Sequence, residues 1–188
     1  MTVASAAGVP LVDGDQAPLL ARPYYASGDP GPIVAALAHV PEILDAAMPF
    51  ISVILGPSSI VVRRKELVIL RTSARLGCRF CVNAHTVVAA DAGLSREELR
   101  ALRGEAPLED VFVDTTERAI LRWVDAVAGA GPVASTERDA LGSHLPTHEV
   151  VELTMLIGAT MMLNRFCTAL ELPTASATAG RLDELDLR

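Results

Sequence analysis

The run Glu66-Leu-Val-Ile-Leu-Arg-Thr-Ser-Ala-Arg-Leu-Gly77-Cys78-Arg-Phe-Cys81-Val-Asn-Ala-His85 decides how this chain is read. Its first half has the apolar spacing of an amphipathic helix, Gly77 is a natural residue to end that helix, and a second helix begins near Arg79. Two antiparallel helices joined so tightly form a hairpin. Glu66 lies eleven residues before Gly77, about 16 Å along the first helix, and His85 lies seven residues after Cys78, about 10 Å back along the second. The offset left is roughly one helical turn, which a glutamate, an imidazole and one water can span.

Cys81 and His85 are four residues apart and share a helix face. Cys78 sits at the helix start, so both thiols feel the positive end of the helix dipole, which favours thiolate. His85 can take a proton from Cys81, and Glu66 can orient His85 directly or through water. A dithiol so equipped can reduce a peroxide: a thiolate attacks the O–O bond, leaves as sulfenic acid, and condenses with its neighbour to a disulfide. An external dithiol then resets the pair by exchange. The spacing alone does not say which cysteine attacks.

Around this stretch the chain reads as helix throughout. The 188 residues are 51% apolar and only 4% aromatic, a composition that suits packed helices with aliphatic cores. Residues 1–29, rich in Pro, Gly, Ala and Ser, read as an extended arm, wrapping a neighbouring subunit or lying as a loose tail. Residues 30–188 read as one domain. Pro32 and Pro41 suit first-turn positions of two helices, the second running from about Glu42 to Ile54. Ser58 or Ser59 is placed to cap the helix that holds Glu66. Ser95 with Glu98 has capping-box spacing, and Asp114 with Glu117 starts a further helix to about Ala128. Ser135 opens a segment to about His144, and Thr147 is expected to cap a last long helix that Pro173 ends. That helix is apolar nearly all round between Val150 and Leu163, as in a bundle core or a subunit interface.

The net charge of −7, with no basic block, argues against nucleic acid and against an electrostatic membrane role. The longest apolar run, Leu153 to Leu163, is too short to span a bilayer, and the N-terminus has no basic or sustained apolar segment of a signal peptide. A cytoplasmic location is the default, and three cysteines, two of them C-x-x-C, fit a reducing compartment.

The span from about residue 40 to 172 resembles the AhpD-like, carboxymuconolactone decarboxylase superfamily in its dithiol branch. The motif there is Glu-x11-Cys-x2-Cys-x3-His, matched by Glu66, Cys78, Cys81 and His85. The Asp91-Ala-Gly-Leu-Ser95 ending and the late Leu163-Asn-Arg-Phe166 are similar as well. The resemblance implies an all-α AhpD-like helical bundle, a homo-oligomer (trimer or hexamer), and a thiol-dependent peroxidase for organic hydroperoxides. A lipoylated or thioredoxin-like partner would recycle it, with no cofactor and no metal. Cys81 would attack, Cys78 would resolve, and His85 with Glu66 would relay protons. Phe80 stands where the best-known members carry a second histidine.

Two other functions fit the same fold. One is a carboxymuconolactone decarboxylase-like lyase with incidental thiols, and the other is a redox-responsive binding or scaffold protein. A zinc site on Cys78, Cys81, His85 and Glu66 is chemically possible but lacks the second Cys or His pair usual in structural sites. Cys167 and the Met155, Met161 and Met162 group read as core, Phe80 as packing over the thiols or lining the entrance, and Asn164 and Arg165 as structural hydrogen-bonding residues. His144 and His148 flank Pro146 and are not a helical metal pair.

Overall fold

Prolines, caps and glycines cut the chain into helices of one to six turns. The computed structural model describes residues 8–187, and its regular elements among those residues are all helical. After a 3-10 turn at Gly14–Gln16 come α1 (Arg22–Tyr25), α2 (Pro32–Leu37), α3 (Pro41–Leu55), α4 (Val62–Arg75), α5 (Arg79–Asp91) and α6 (Arg96–Leu102). They are followed by α7 (Leu108–Val111), α8 (Thr115–Val127), α9 (Ser135–Gly142), α10 (Thr147–Ala169) and α11 (Ser176–Leu185). The all-α class read from the sequence is the class observed.

Local chemistry sets most boundaries. Pro32 and Pro41 occupy first-turn positions of α2 and α3, where a missing N–H costs nothing. Ser95 and Glu98 form a full capping box on α6, and the Asp114 carboxylate accepts the Glu117 N–H at 2.8 Å to start α8. At the end of α4, Gly77 adopts φ +64°. The Cys78 N–H returns to the Ser73 carbonyl and the Gly77 N–H to that of Ala74, the paired bonds of a Schellman motif. That motif fixes where Cys78 begins the next helix.

Two expected caps are corrected. Neither Ser58 nor Ser59 caps α4, which starts after Val61 without a side-chain cap. The Ser58 hydroxyl instead accepts the Ile60 N–H at 3.1 Å and donates to Glu152 at 2.6 Å. Thr147 is the first residue of α10, and Pro146 holds the cap position.

α4 is the centre of the bundle and packs against α5, α6, α8 and α10. Its Val68 and Ile69 enter one apolar cluster with α8, α9 and α10, and its Leu67 and Leu70 enter a second with α5, α6, α8 and α11. Each such fully buried side chain contributes about 1.5–3 kcal/mol. Two charged residues are buried on the same helix, and both are paired. The Lys65 ammonium donates to the Ile54 and Gly56 carbonyls at 3.0 and 2.6 Å and meets Glu152 at 2.9 Å. It closes the C-terminal end of α3 and ties it to α10.

Residues 1–7 of the expected arm lie outside the described residues. From Gly8 onward the segment lies on the bundle: Gly8 N–H donates to Leu170, Val12 N–H to Ala35, and the Tyr25 hydroxyl to Val12. His39 reaches the Pro10 carbonyl at 2.8 Å.

By length and composition α10 is the one helix among the described residues able to cross a membrane. Here it packs against α3, α4, α5, α8 and α9. Its outer face leaves Val151, Met155 and Met162 exposed.

Candidate functional site

The sequence residues fall into two adjoining groups. Glu66 on α4 and His85 on α5 meet directly, with His85 Nδ1 donating to Glu66 Oε2 at 2.9 Å. No water is needed between them. The carboxylate fixes the Nδ1–H tautomer and leaves Nε2 as the acceptor. Glu66 is buried, at 5% exposure, whereas about a quarter of the His85 side chain is open.

The second group is larger than the C-x-x-C pair. The sulfurs of Cys78, Cys81 and Cys167 lie within 4.8 Å of one another, all three buried and free. Cys78 is the N-cap residue of α5 and Cys81 its third residue; Cys167 comes from the last turns of α10. Apolar side chains roof the sulfurs, among them Val9, Leu11 and Phe80. Cys167 is core, as read from the sequence, and its sulfur also completes this cluster. Nothing in its spacing signals this, because the contact is made by α10 returning to the start of α5. Glu66 and His85 are outside the three-sulfur cluster, so the four-residue zinc set weighed above is not assembled.

The cluster favours one negative charge and resists a second. Donation from the Cys167 thiol, then from the Cys81 thiol, holds Cys78 well below the ordinary thiol value against the opposing effect of burial, with help from the Cys81 amide and the Thr168 hydroxyl. The donating thiols keep their protons: Cys81 is pushed far up by Cys167 and Cys78, and Cys167 is pushed up to about 12, chiefly by Cys78. The sequence places the activated thiol at Cys81 beside His85. The charge is better held at Cys78, because two S–H donors converge there.

Cys81 and His85 line one cavity of about 230 Å³, with Phe80, Asn164, Met48 and Leu55 also in its wall. Cys78 and Cys167 line a different, more polar cleft of about 940 Å³. Asn164 is 1% exposed. Its Oδ1 accepts the Ser73 hydroxyl at 3.1 Å, and its Nδ2 has no partner among the described residues. A buried amide donor without a protein partner, in the wall of the cavity that Cys81 lines, is free to donate to a molecule held there. The sequence reading gave Asn164 a structural bond only.

Comparisons with known proteins bear on the fold. Residues 41–126 match the carboxymuconolactone decarboxylase family. A search of curated proteins finds no significant match. Among solved structures, a protein of unknown function from Agrobacterium tumefaciens, described as an AhpD antioxidant-defence protein, is 28% identical; the match covers 74% of this chain and 95% of that one, with TM-score 0.68. An uncharacterized peroxidase-related protein with an AhpD core, from Ralstonia eutropha JMP134, is 16% identical over 94% of this chain and 96% of that one, with TM-score 0.80. The debrominase Bmp8, solved as a cysteine-to-alanine variant with 2,3,4-tribromopyrrole, is 18% identical over 94% and 96%, with TM-score 0.76. Over residues 41–126 the chain thus matches the carboxymuconolactone decarboxylase family, on a fold shared with AhpD-like structures.

Proposed function

We propose that the protein is a thiol-dependent peroxidase that reduces small organic hydroperoxides through Cys78 and Cys81. The observation that supports this best is the small cavity that holds Cys81, His85 and the unpaired amide of Asn164, with Glu66 behind His85. Its volume of about 230 Å³ is below the roughly 300–1,000 Å³ of sites for drug-sized ligands. A hydroperoxide with a short or compact alkyl group suits it.

The cycle uses groups already in place. Cys81 gives its proton to the Cys78 thiolate or to His85 Nε2, which moves the negative charge to the sulfur in the cavity. That sulfur attacks the terminal peroxide oxygen, the O–O bond breaks, and Cys81 becomes sulfenic acid. The departing alkoxide accepts a hydrogen bond from Asn164 Nδ2, takes back through His85 the proton that Cys81 released, and leaves as alcohol, with Cys78 as thiolate. The Cys78 sulfur then attacks the sulfenic sulfur, forming the Cys78–Cys81 disulfide and releasing water. The sum is one thiolate, one thiol, one hydroperoxide and one proton from solvent to one disulfide, one alcohol and one water. A dithiol reductant, of the lipoylated or thioredoxin-like kind, restores the thiols, and such a cycle belongs in a reducing, cytoplasmic setting.

The active unit in this proposal is a homo-oligomer, trimer or hexamer. An apolar groove of about 610 Å³ between α2, α3 and α10 supports it, lined by Ile43, Ala47, Met162 and Phe166 with His39 at its edge. Exposed apolar patches of this kind mark protein interfaces.

The test is a thiol count on reduced protein before and after one equivalent of an organic hydroperoxide. A fall from three free thiols to one, reversed by a dithiol, is expected. An unchanged count overturns the peroxidase and leaves a lyase or binding role on this fold.

A further inference from the structure

Three thiols, not two, share the buried cluster, and they open onto two different cavities. Cys81 lines the small apolar cavity together with His85. Cys78 and Cys167 line the broad polar cleft, where neither Cys81 nor His85 takes part. We propose that Cys167 is a third redox-active thiol, which moves the disulfide from Cys78–Cys81 to Cys78–Cys167 and so carries the oxidising equivalents from the substrate cavity to the polar cleft. The inference rests on the peroxidase reading for the source of the first disulfide.

The geometry permits the exchange. All three sulfurs are within 4.8 Å of one another, so side-chain rotations and small helix shifts bring any pair to the bonding distance of about 2.05 Å. Cys78 is common to both pairs, as the central sulfur of an exchange must be. In the step, the Cys167 sulfur bonds to Cys78 and the Cys78–Cys81 bond breaks. Cys81 leaves with the electron pair and takes up the proton that Cys167 releases. The step is an isomerisation, with no electrons gained or lost and no outside reagent. The charge that hinders Cys167 in the reduced cluster is the Cys78 thiolate, and that thiolate no longer exists once the first disulfide has formed.

The relay also answers a problem of access. A reducing dithiol has to reach a sulfur, and the cavity of about 230 Å³ around Cys81 is small for the arm of a carrier protein. The cleft beside Cys78 and Cys167 is about 940 Å³ and carries Arg79, Arg103, Glu105 and Glu171 on its walls. Both sulfurs are closed to water in the reduced chain, at 0% and 1% exposure. Reduction there proceeds through local opening where α10 ends against the start of α5.

Disulfide mapping tests this. Reduced protein is oxidised to one disulfide per chain, in one sample with tert-butyl hydroperoxide and in another with diamide, which oxidises dithiols without any peroxidase activity. Remaining thiols are alkylated in acid quench and peptides are assigned by mass spectrometry. Both isomers are expected in the diamide sample, Cys78–Cys81 and Cys78–Cys167, with Cys81 alkylated in the second. In Cys81→Ser, diamide is expected to join Cys78 to Cys167. Cys78–Cys81 alone in the wild type, or two persistent free thiols in Cys81→Ser, overturns the relay. Failure of tert-butyl hydroperoxide to consume thiols overturns the peroxidase reading instead, and the diamide sample still decides the role of Cys167.

Discussion

Glu66 and His85, on successive helices, are joined side chain to side chain at 2.9 Å. The bond sets which imidazole nitrogen faces the cavity, so its loss should affect chemistry more than folding. Glu66→Gln is expected to lower kcat/KM for an organic hydroperoxide by about 10²-fold, the scale of positioned acid–base catalysis, with little change in thermal midpoint. Glu66→Asp, which shortens the reach, should fall between. An unchanged rate in Glu66→Gln, read with its pH profile, counts against the relay.

The three-sulfur cluster should titrate in an uneven way. Reduced protein followed at 240 nm is expected to show one thiolate well below the ordinary thiol value of about 8.5 and no second thiolate until well above it. Cys78→Ser should remove the early step. The sign for stability follows. The folded Cys78 value is depressed, so its contribution is present above the unfolded value and is lost as pH falls toward the folded one. The raised Cys81 and Cys167 contribute below the unfolded value and lose that contribution as pH climbs. Three thiols titrating together near the free value would refute the shared charge.

Asn164 carries a donor that the folded chain leaves idle. Asn164→Leu should reduce peroxide turnover by about 10²-fold, the usual cost of one donor to a developing oxyanion, and should leave the rate of diamide oxidation unchanged. Ser73 loses its acceptor in this variant, at a cost of about 1–3 kcal/mol, so turnover is to be compared at a temperature where both proteins are folded. Equal turnover would return Asn164 to a structural role.

Lys65 offers a test of the frame. Lys65→Met removes the ammonium from the Ile54 and Gly56 carbonyls and from Glu152. Breaking a buried pair costs roughly 3–5 kcal/mol. Glu152 is 26% exposed and regains some water, so about 2–4 kcal/mol is expected in urea unfolding. A loss below about 1 kcal/mol, the scale of an ordinary surface pair, would show that the ion pair is idle.

Acid sensitivity should arise at Glu98. Burial raises its carboxyl value, but the Arg63 guanidinium and the Ser95 amide outweigh burial and hold it below the ordinary 4.5. A depressed carboxylate stabilises the fold above its unfolded value and loses that stability as pH falls below it. Glu98→Gln should flatten the fall in thermal midpoint at pH values below 4.5, and an unaltered acid limb would argue against it.

Much of this was legible in the residues. The spacing of Glu66, Cys78, Cys81 and His85 implied a contact across two helices, and Glu66 and His85 do touch. Gly77, Ser95 and Asp114 announced their turns because local hydrogen bonds decide them. Cys167 is core and Asn164 does make a structural bond, as read, but the three-sulfur cluster and the cavity that Asn164 shares with Cys81 were not legible, because those surroundings come from elements far along the chain. The Ser58 hydroxyl went to Glu152 for the same reason. α11 was missed after Pro173, since it depends on Leu182 and Leu187 finding a distant core and not on a strong pattern of its own.

Lys65 and Glu66 are sequence neighbours of opposite charge, at 3% and 5% exposure, and adjacent helical residues point about 100° apart. One finds the end of α3 and Glu152; the other finds His85. Were α4 turned by a single residue, an ammonium would face the imidazole and a carboxylate would face the carbonyls of Ile54 and Gly56. Aliphatic neighbours such as Leu67, Val68, Ile69 and Leu70 discriminate weakly between such rotations, because each resembles the next. The adjacent charges act as a key that only one orientation of the helix fits, and the same fit that aims Glu66 at His85 rejects the misrotated bundle.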